Sequence, residues 1–144
     1  MTTLAKIGYG SVFSVLDNTL SPPAYVALAE VTAITPPQMS RDTVDATHNA
    51  STGGWREFIP GLKDAGDVTV EMNFIPGNAT GDLLMGSFNS DTALSCKIAF
   101  PDSPVTEWLF TAICTGFAPT QPIDDKMTAS ATFKLTGKPA FIPA

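Results

Sequence analysis

The 144-residue chain carries 14 acidic against 8 basic side chains, a formal net charge of −6, and only 15% of its residues are charged while 44% are apolar. That length suits one domain with its own core, and the negative balance excludes a general binder of nucleic acid or anionic membrane. Eleven glycines and 12 prolines describe a turn-rich β composition, not a disordered or coiled-coil one, and no apolar run approaches the ~20 residues of a membrane span.

Taken in chain order, residues 1–23 read as an irregular N-terminal arm that ends in the stiff Ser21-Pro22-Pro23. Leu4, Ile7, Val12, Phe13, Val15 and Leu16 give that arm apolar surface suited to packing on a neighbour, and it lacks the apolar core and cleavage site of a secretion signal. AYVALAEVTAI (24–34) reads as one strand stopped by Pro36-Pro37, and 40–47 as a weakly alternating second. The stretch 39–66 reads as a long polar connection with an aromatic anchor, Trp55, an apolar patch, Phe58 and Ile59, and a turn at Pro60-Gly61. Connections of that length are functional or disordered in a compact domain. Its aromatic and apolar groups suit docking on another chain, with a local mini-core as the alternative.

Asp67 to Phe74 is the clearest strand, with Val68, Val70, Met72 and Phe74 on one face and Thr69, Glu71 and Asn73 on the other. After Pro76-Gly77, Asn78 or Thr80 suits a helix cap, and the spacing predicts a helix over 79–89 with Leu83, Leu84 and Phe88 inward. Strands follow at 93–100, at 106–118 and at 126–136, where Thr128, Ser130, Thr132 and Lys134 alternate with Met127, Ala129, Ala131, Phe133 and Leu135. Phe117 falls on the Leu109 and Ile113 face of its strand, opposite Trp108 and Phe110, and the tail GKPAFIPA reads as local packing. The chain is therefore mainly β: a β-sandwich or barrel-like sheet of about six strands with one flanking α-helix, in a single domain over 1–144.

Catalytic chemistry is thinly represented. The single histidine, His48, and the two cysteines lack the spacing of a metal site, and no phosphate-binding glycine motif is present. If the strands around Asp102-Ser103 form a hairpin, Cys96 faces a residue near position 110. Cys114 is then about four residues away, roughly 13 Å along the strand and beyond disulfide reach; both cysteines read as small buried thiols. Asp45, His48 and Ser51 form a triad on paper only, crowded on one loop without a nucleophile elbow, and the carboxylates Asp42 with Asp45 and Asp64 with Asp67 have no cleft between them. Catalytic, metal and cofactor sites are not expected.

The wording of residues 39–74 points elsewhere. SRDTVDAT, then WREFIPGLKD, then DVTVEM resembles the tail tube (major tail) proteins of long flexible-tailed bacteriophages, and the strand order beyond it fits over most of 24–136. The resemblance implies a structural virion protein. Six subunits would form a ring, stacked rings would make a tube for DNA ejection, and the partners would be other copies, the tape measure protein, and the tail terminator and tail tip proteins. The protein would reside in the virion tail after assembly in the host cytoplasm, with DNA passing without specific binding and no membrane partner. On that reading Arg41, Asp42, Asp45, Trp55, Arg56, Glu57, Phe58, Ile59, Lys63 and Asp64 belong to an inter-subunit or inter-ring loop. Glu30 and Glu71, read as mid-strand on polar faces, are candidates for an acidic lumen that repels phosphate. An immunoglobulin-like or carbohydrate-binding sandwich is the alternative, and it explains the strands without explaining the wording of the loop.

Overall fold

The computed structural model describes residues 3, 8–17, 21–101 and 106–142. The expected positions Leu4, Ile7, Asp102 and Ser103 lie outside them. Among the described residues, nine strands and one α-helix follow in order: β1 (Val12–Asp17), β2 (Ala24–Ala27), β3 (Val31–Thr35), β4 (Ser40–Asp45), β5 (Phe58–Asp64), β6 (Asp67–Asn73), α1 (Ala79–Asn89), β7 (Leu94–Ala99), β8 (Glu107–Thr120) and β9 (Thr128–Ile142). Seven strands form one antiparallel sheet in the order β2-β1-β7-β8-β9-β6-β3, and β4 with β5 form a separate hairpin.

The sheet curls into an open barrel, as its connectivity requires. The outermost strands, β2 and β3, are consecutive in sequence and joined only through Leu28, Ala29 and Glu30. Such a link spans at most about 14 Å, whereas the edges of a flat seven-stranded sheet would stand about 28 Å apart. Two backbone bonds hold the linking residues to the strands on either side, Leu28 N–H to Phe13 O of β1 (3.0 Å) and Asn73 N–H of β6 to Glu30 O (3.0 Å). Inside lie the alternating residues of β6, Val68, Val70 and Met72, with Ala131 and Phe133 of β9 and Phe13 of β1. The Phe13 ring packs at 5.3 Å on Phe133 and 6.2 Å on Phe110. Leu84 of α1, fully buried, packs into this core from one side.

Several expectations are corrected. Residues 12–17 are not an irregular arm but an internal strand hydrogen-bonded on both sides, to β2 and β7. Phe13 and Val15, two residues apart, are fully buried on its inner face. Residues 24–34 are two strands, because the chain turns at Glu30 with φ of +53°. Glu30 is thus a turn residue at the barrel seam rather than a mid-strand one. A bulge between Cys114 and Gly116 advances β8 by one position, so Phe117 lies opposite Ala131 and packs on the core, its ring 6.1 Å from Phe74. The tail continues β9 to Ile142, with Trp108 opposite Phe141.

On α1, Ser87 shares the buried side with Leu84 and donates to Leu83 O at 2.8 Å, while Phe88 is 46% exposed. Asn78 occupies the N-cap without a side-chain bond, and the Thr80 hydroxyl instead accepts from Ala29 N–H at 3.0 Å, tying the helix to the seam. Cys96 stands opposite Phe110 and Cys114 opposite Phe133. Burial, and secondarily the nearby Cys114, pushes the Cys96 thiol up to about 12.

Candidate functional site

The stretch 39–66, expected as a loop with a Pro-Gly turn, is a built hairpin. Its register pairs Ser40 with Asp64, Arg41 with Lys63, Thr43 with Pro60, Val44 with Ile59 and Asp45 with Phe58. Pro60 and Gly61 therefore sit inside β5. The register shift between Arg41 and Thr43 is a bulge on β5, where Gly61 and Leu62 together oppose Asp42. A Cβ on Gly61 would stand 3.0 Å from Asp42 O, so the close approach of the two backbones there favours glycine.

The tip, residues 46–57, is held by its own polar groups. Ala46 N–H donates to Glu57 O at 2.8 Å, Thr47 N–H to Asp45 Oδ1 at 2.9 Å, and Glu57 N–H to Thr47 Oγ1 at 2.9 Å. Arg56 Nη1 reaches Asp45 Oδ2 at 3.2 Å. The Thr47 hydroxyl and N–H, and then Arg56, hold the Asp45 carboxyl below its ordinary range. His48 N–H donates to Ser51 Oγ at 3.0 Å, and a short 3-10 turn, Thr52–Gly54, then delivers Trp55 to the surface.

This geometry disposes of the paper triad. His48 Nδ1 accepts from Ala50 N–H at 3.1 Å, and its Nε2 points at Glu57 Oε2 at 3.2 Å. The Ser51 hydroxyl also donates to Glu57 Oε2, at 2.6 Å, and Asp45 belongs to Thr47 and Arg56. Neither imidazole nitrogen is available to take the serine proton, so no activated nucleophile is assembled. Among the described residues no cluster of three or more His, Cys, Asp or Glu side chains is placed to hold a metal ion, and no helix among them is long and apolar enough to cross a membrane.

What the hairpin does present is apolar surface. Trp55 is 78% exposed, and Phe58 and Ile59 are about half exposed; they do not gather into a mini-core. Val44, Leu62 and Met39 are exposed beside them, and sequence reading missed all three. Reading Phe58–Asp64 as a strand would have found Val44, which faces Ile59 across the ribbon. Every residue of β4 is exposed, and β5 buries none of its side chains. An isolated two-stranded ribbon is marginal in water, and contiguous exposed apolar groups mark interaction surfaces.

Where the hairpin joins the barrel, Asp64 accepts from Gly66 N–H at 2.9 Å and faces Lys134 Nζ at 3.4 Å. These two contacts, in that order, hold its carboxyl below the ordinary range. A cleft of about 560 Å³ opens here, with Met39, Arg41, Lys63, Lys138, Pro139 and Phe141 among its walls. Glu71, by contrast, is exposed at mid-strand on the outer face of β6, between Ala33 and Ser130. A shallow groove of about 300 Å³ runs beside it, lined by Thr32, Thr120, Thr128 and Ser130 among others.

The structure is an open barrel with a projecting apolar hairpin. The chain belongs to the lambda phage tail tube protein family, whose sequence profile it matches over residues 8–142. It is accordingly a tail tube protein of the virion, and the sandwich-type binding module is set aside. A search of curated protein sequences gives no match. Solved structures share the fold at low identity. The tail of an empty gene transfer agent particle with C6 symmetry superposes with a TM-score of 0.77 at 19% identity, covering 96% of this chain and 100% of that one. A sheath-tube complex of an extracellular contractile injection system gives 0.73 at 14%, covering 98% and 93%. The SPP1 tail tube gives 0.69 at 9%, covering 93% and 76%.

Proposed function

We propose that six copies close into a ring, that rings stack into a tube conducting DNA at ejection, and that the 39–66 hairpin bonds neighbouring subunits or rings. The observation that carries this reading is the hairpin itself, a tip ordered by its own hydrogen bonds that holds Trp55, Phe58 and Ile59 in water. Burying such aromatic and aliphatic groups supplies most of the energy of a protein–protein contact. Arg41, Asp42, Arg56, Glu57 and Lys63 flank them with charge that sets register and partner choice more than affinity. The C6 symmetry of the gene transfer agent tail supports six as the ring number.

In this tube Glu71, set among serine and threonine on the outer sheet face, lies toward the lumen, where a carboxylate repels passing phosphates. Glu30, at the barrel seam, is the second acid proposed to face the lumen. The tape measure protein fills the lumen before ejection, terminator and tip proteins close the ends, and assembly takes place in the host cytoplasm. Electron microscopy of the concentrated protein, with and without a purified tail-tip complex, tests the reading. Hollow tubes are expected from the intact chain, and no stacking from a chain in which residues 40–64 are replaced by a short glycine-serine linker. Monomers alone under both conditions would overturn it.

A further inference from the structure

We propose that the β8–β9 turn of one copy, carrying Ile123 and Asp124, seats in the cleft at the hairpin base of a second copy stacked above or below it. This inference rests on the tube reading and adds the contact that sets the axial register.

The cleft has the wrong charge to stand alone. Arg41 and Lys63 are direct cross-strand partners, and like charges in that position repel. Lys138 is a third cation on the cleft wall. Among the described residues none of the three forms an ion pair, and the nearby Asp64 is taken by Lys134. Between the cations the walls are apolar, Met39 being 53% and Phe141 43% exposed. The fitting occupant is an aliphatic group with a carboxylate beside it.

The chain carries that group at its other end. Ile123 is fully exposed, at 105%, at the turn between β8 and β9. Asp124 and Asp125 follow it, both exposed. Asp125 accepts from Lys126 N–H at 2.7 Å, while the exposed Asp124 carboxylate has no hydrogen bond or ion pair among the described residues. The turn enters β9 at Thr128, whereas the cleft draws on Gly137 to Phe141 of the same strand. Nine residues of strand put the two about 30 Å apart.

Charge follows the same axis. Around the cleft end stand Arg41, Lys63, Lys97, Lys134 and Lys138 against Asp42, Asp64, Asp67 and Glu107; at the turn end stand Glu30, Asp124 and Asp125 against Lys126. The unpaired cations of the cleft facing an acidic turn end on the same subunit favour head-to-tail stacking of identical copies, a heterologous contact that propagates. The hairpin leaves the barrel at the cleft end, since β3 ends opposite Thr69 and β5 stops three residues before Asp67. It is therefore placed to run alongside the copy whose turn enters the cleft.

The test is a cysteine pair, Ile123→Cys with Met39→Cys, oxidised mildly in assembled tubes. Cys96 and Cys114 are buried and stay out of the reaction. The two introduced thiols are too far apart to join within one copy, so a reducible ladder of dimers, trimers and longer chains on a gel is the expected result. Tubes that form without a ladder overturn the proposal and leave the tube reading standing; a wild-type chain that forms no tubes overturns both. As a second measurement, Asp124→Lys should raise the protein concentration needed for tube growth at least roughly tenfold. Adding Lys63→Glu should bring it back, and tube growth by Asp124→Lys at the wild-type concentration counts against the contact.

Discussion

Strands β5 and β6 are both seven residues long and separated by only Ala65 and Gly66, yet they live in different solvents. β6 buries Val68, Val70 and Met72 in strict alternation, whereas Phe58, Ile59 and Leu62 of β5 remain in water. The barrel completes its core within one chain. The hairpin spends its polar groups on ordering its own tip and keeps its apolar groups for a partner. The difference separates residues that determine folding from residues that determine assembly, and mutations should divide along the same line.

The largest effect is expected from Phe133→Ala. Its ring is fully buried against Phe13, so truncation leaves a cavity and should cost about 3–5 kcal/mol in denaturant unfolding. Trp55→Ala removes an even larger side chain, but one that is 78% exposed, and should change stability by no more than about 0.5 kcal/mol while abolishing tube growth. Comparable destabilisation from both would erase the distinction between barrel and hairpin.

The junction between the two regions ranks next. Gly66 has φ of +82°, and a Cβ there would collide with Gln38 O, part of the backbone leading into β4. Gly66 O also accepts from Leu135 N–H at 3.1 Å, so the residue fixes the hairpin root to β9. Gly66→Ala should cost about 1–3 kcal/mol through strain and displacement of that root. The control is Gly77→Ala, with φ of +77° but open space around the added methyl, which should cost only about 1 kcal/mol. Equal losses in the two variants, by thermal unfolding, would mean that backbone conformation alone matters at Gly66.

How much of this the sequence disclosed follows from the same division. Period-two burial in β6 and β7 was readable because one face of each strand meets a core supplied by this chain, and the facing of Cys96 with Phe110 followed from hairpin arithmetic. The hairpin gave no such signal: with all of β4 exposed, alternation has nothing to report. Pro60-Gly61 in β5 imitates a turn, whereas the chain runs on there as a strand with a bulge at Gly61 and Leu62. Phe117 was assigned to the wrong face because a single extra residue at the β8 bulge inverts the pattern beyond it. β1 was missed because its buried pair, Phe13 and Val15, is too short a run to show a period. The family wording at 40–72 located the hairpin without revealing its shape.

The smallest expected effect lies at the contact between the two regions, Asp64 with Lys134. The folded-state pKa of Asp64 lies below its ordinary value, chiefly through Gly66 N–H and then Lys134. Its contribution to stability is therefore present above the unfolded value of about 3.9 and is lost as pH falls through the lower folded value. Lys134 is shifted upward, by Asp64 first and Asp67 second, so its share is complete below about 10.4 and fades as pH rises through the folded value. Both groups are solvent-exposed, and screening keeps the energy small, so the shift is best read directly. In a carboxyl NMR titration Asp64 should titrate below 3.9. Lys134→Met should move its midpoint upward only in part, because the Gly66 N–H bond survives the substitution. A return to the full ordinary value would mean that Lys134, and with it the barrel, holds the hairpin root; no movement would assign the root to the Gly66 turn alone.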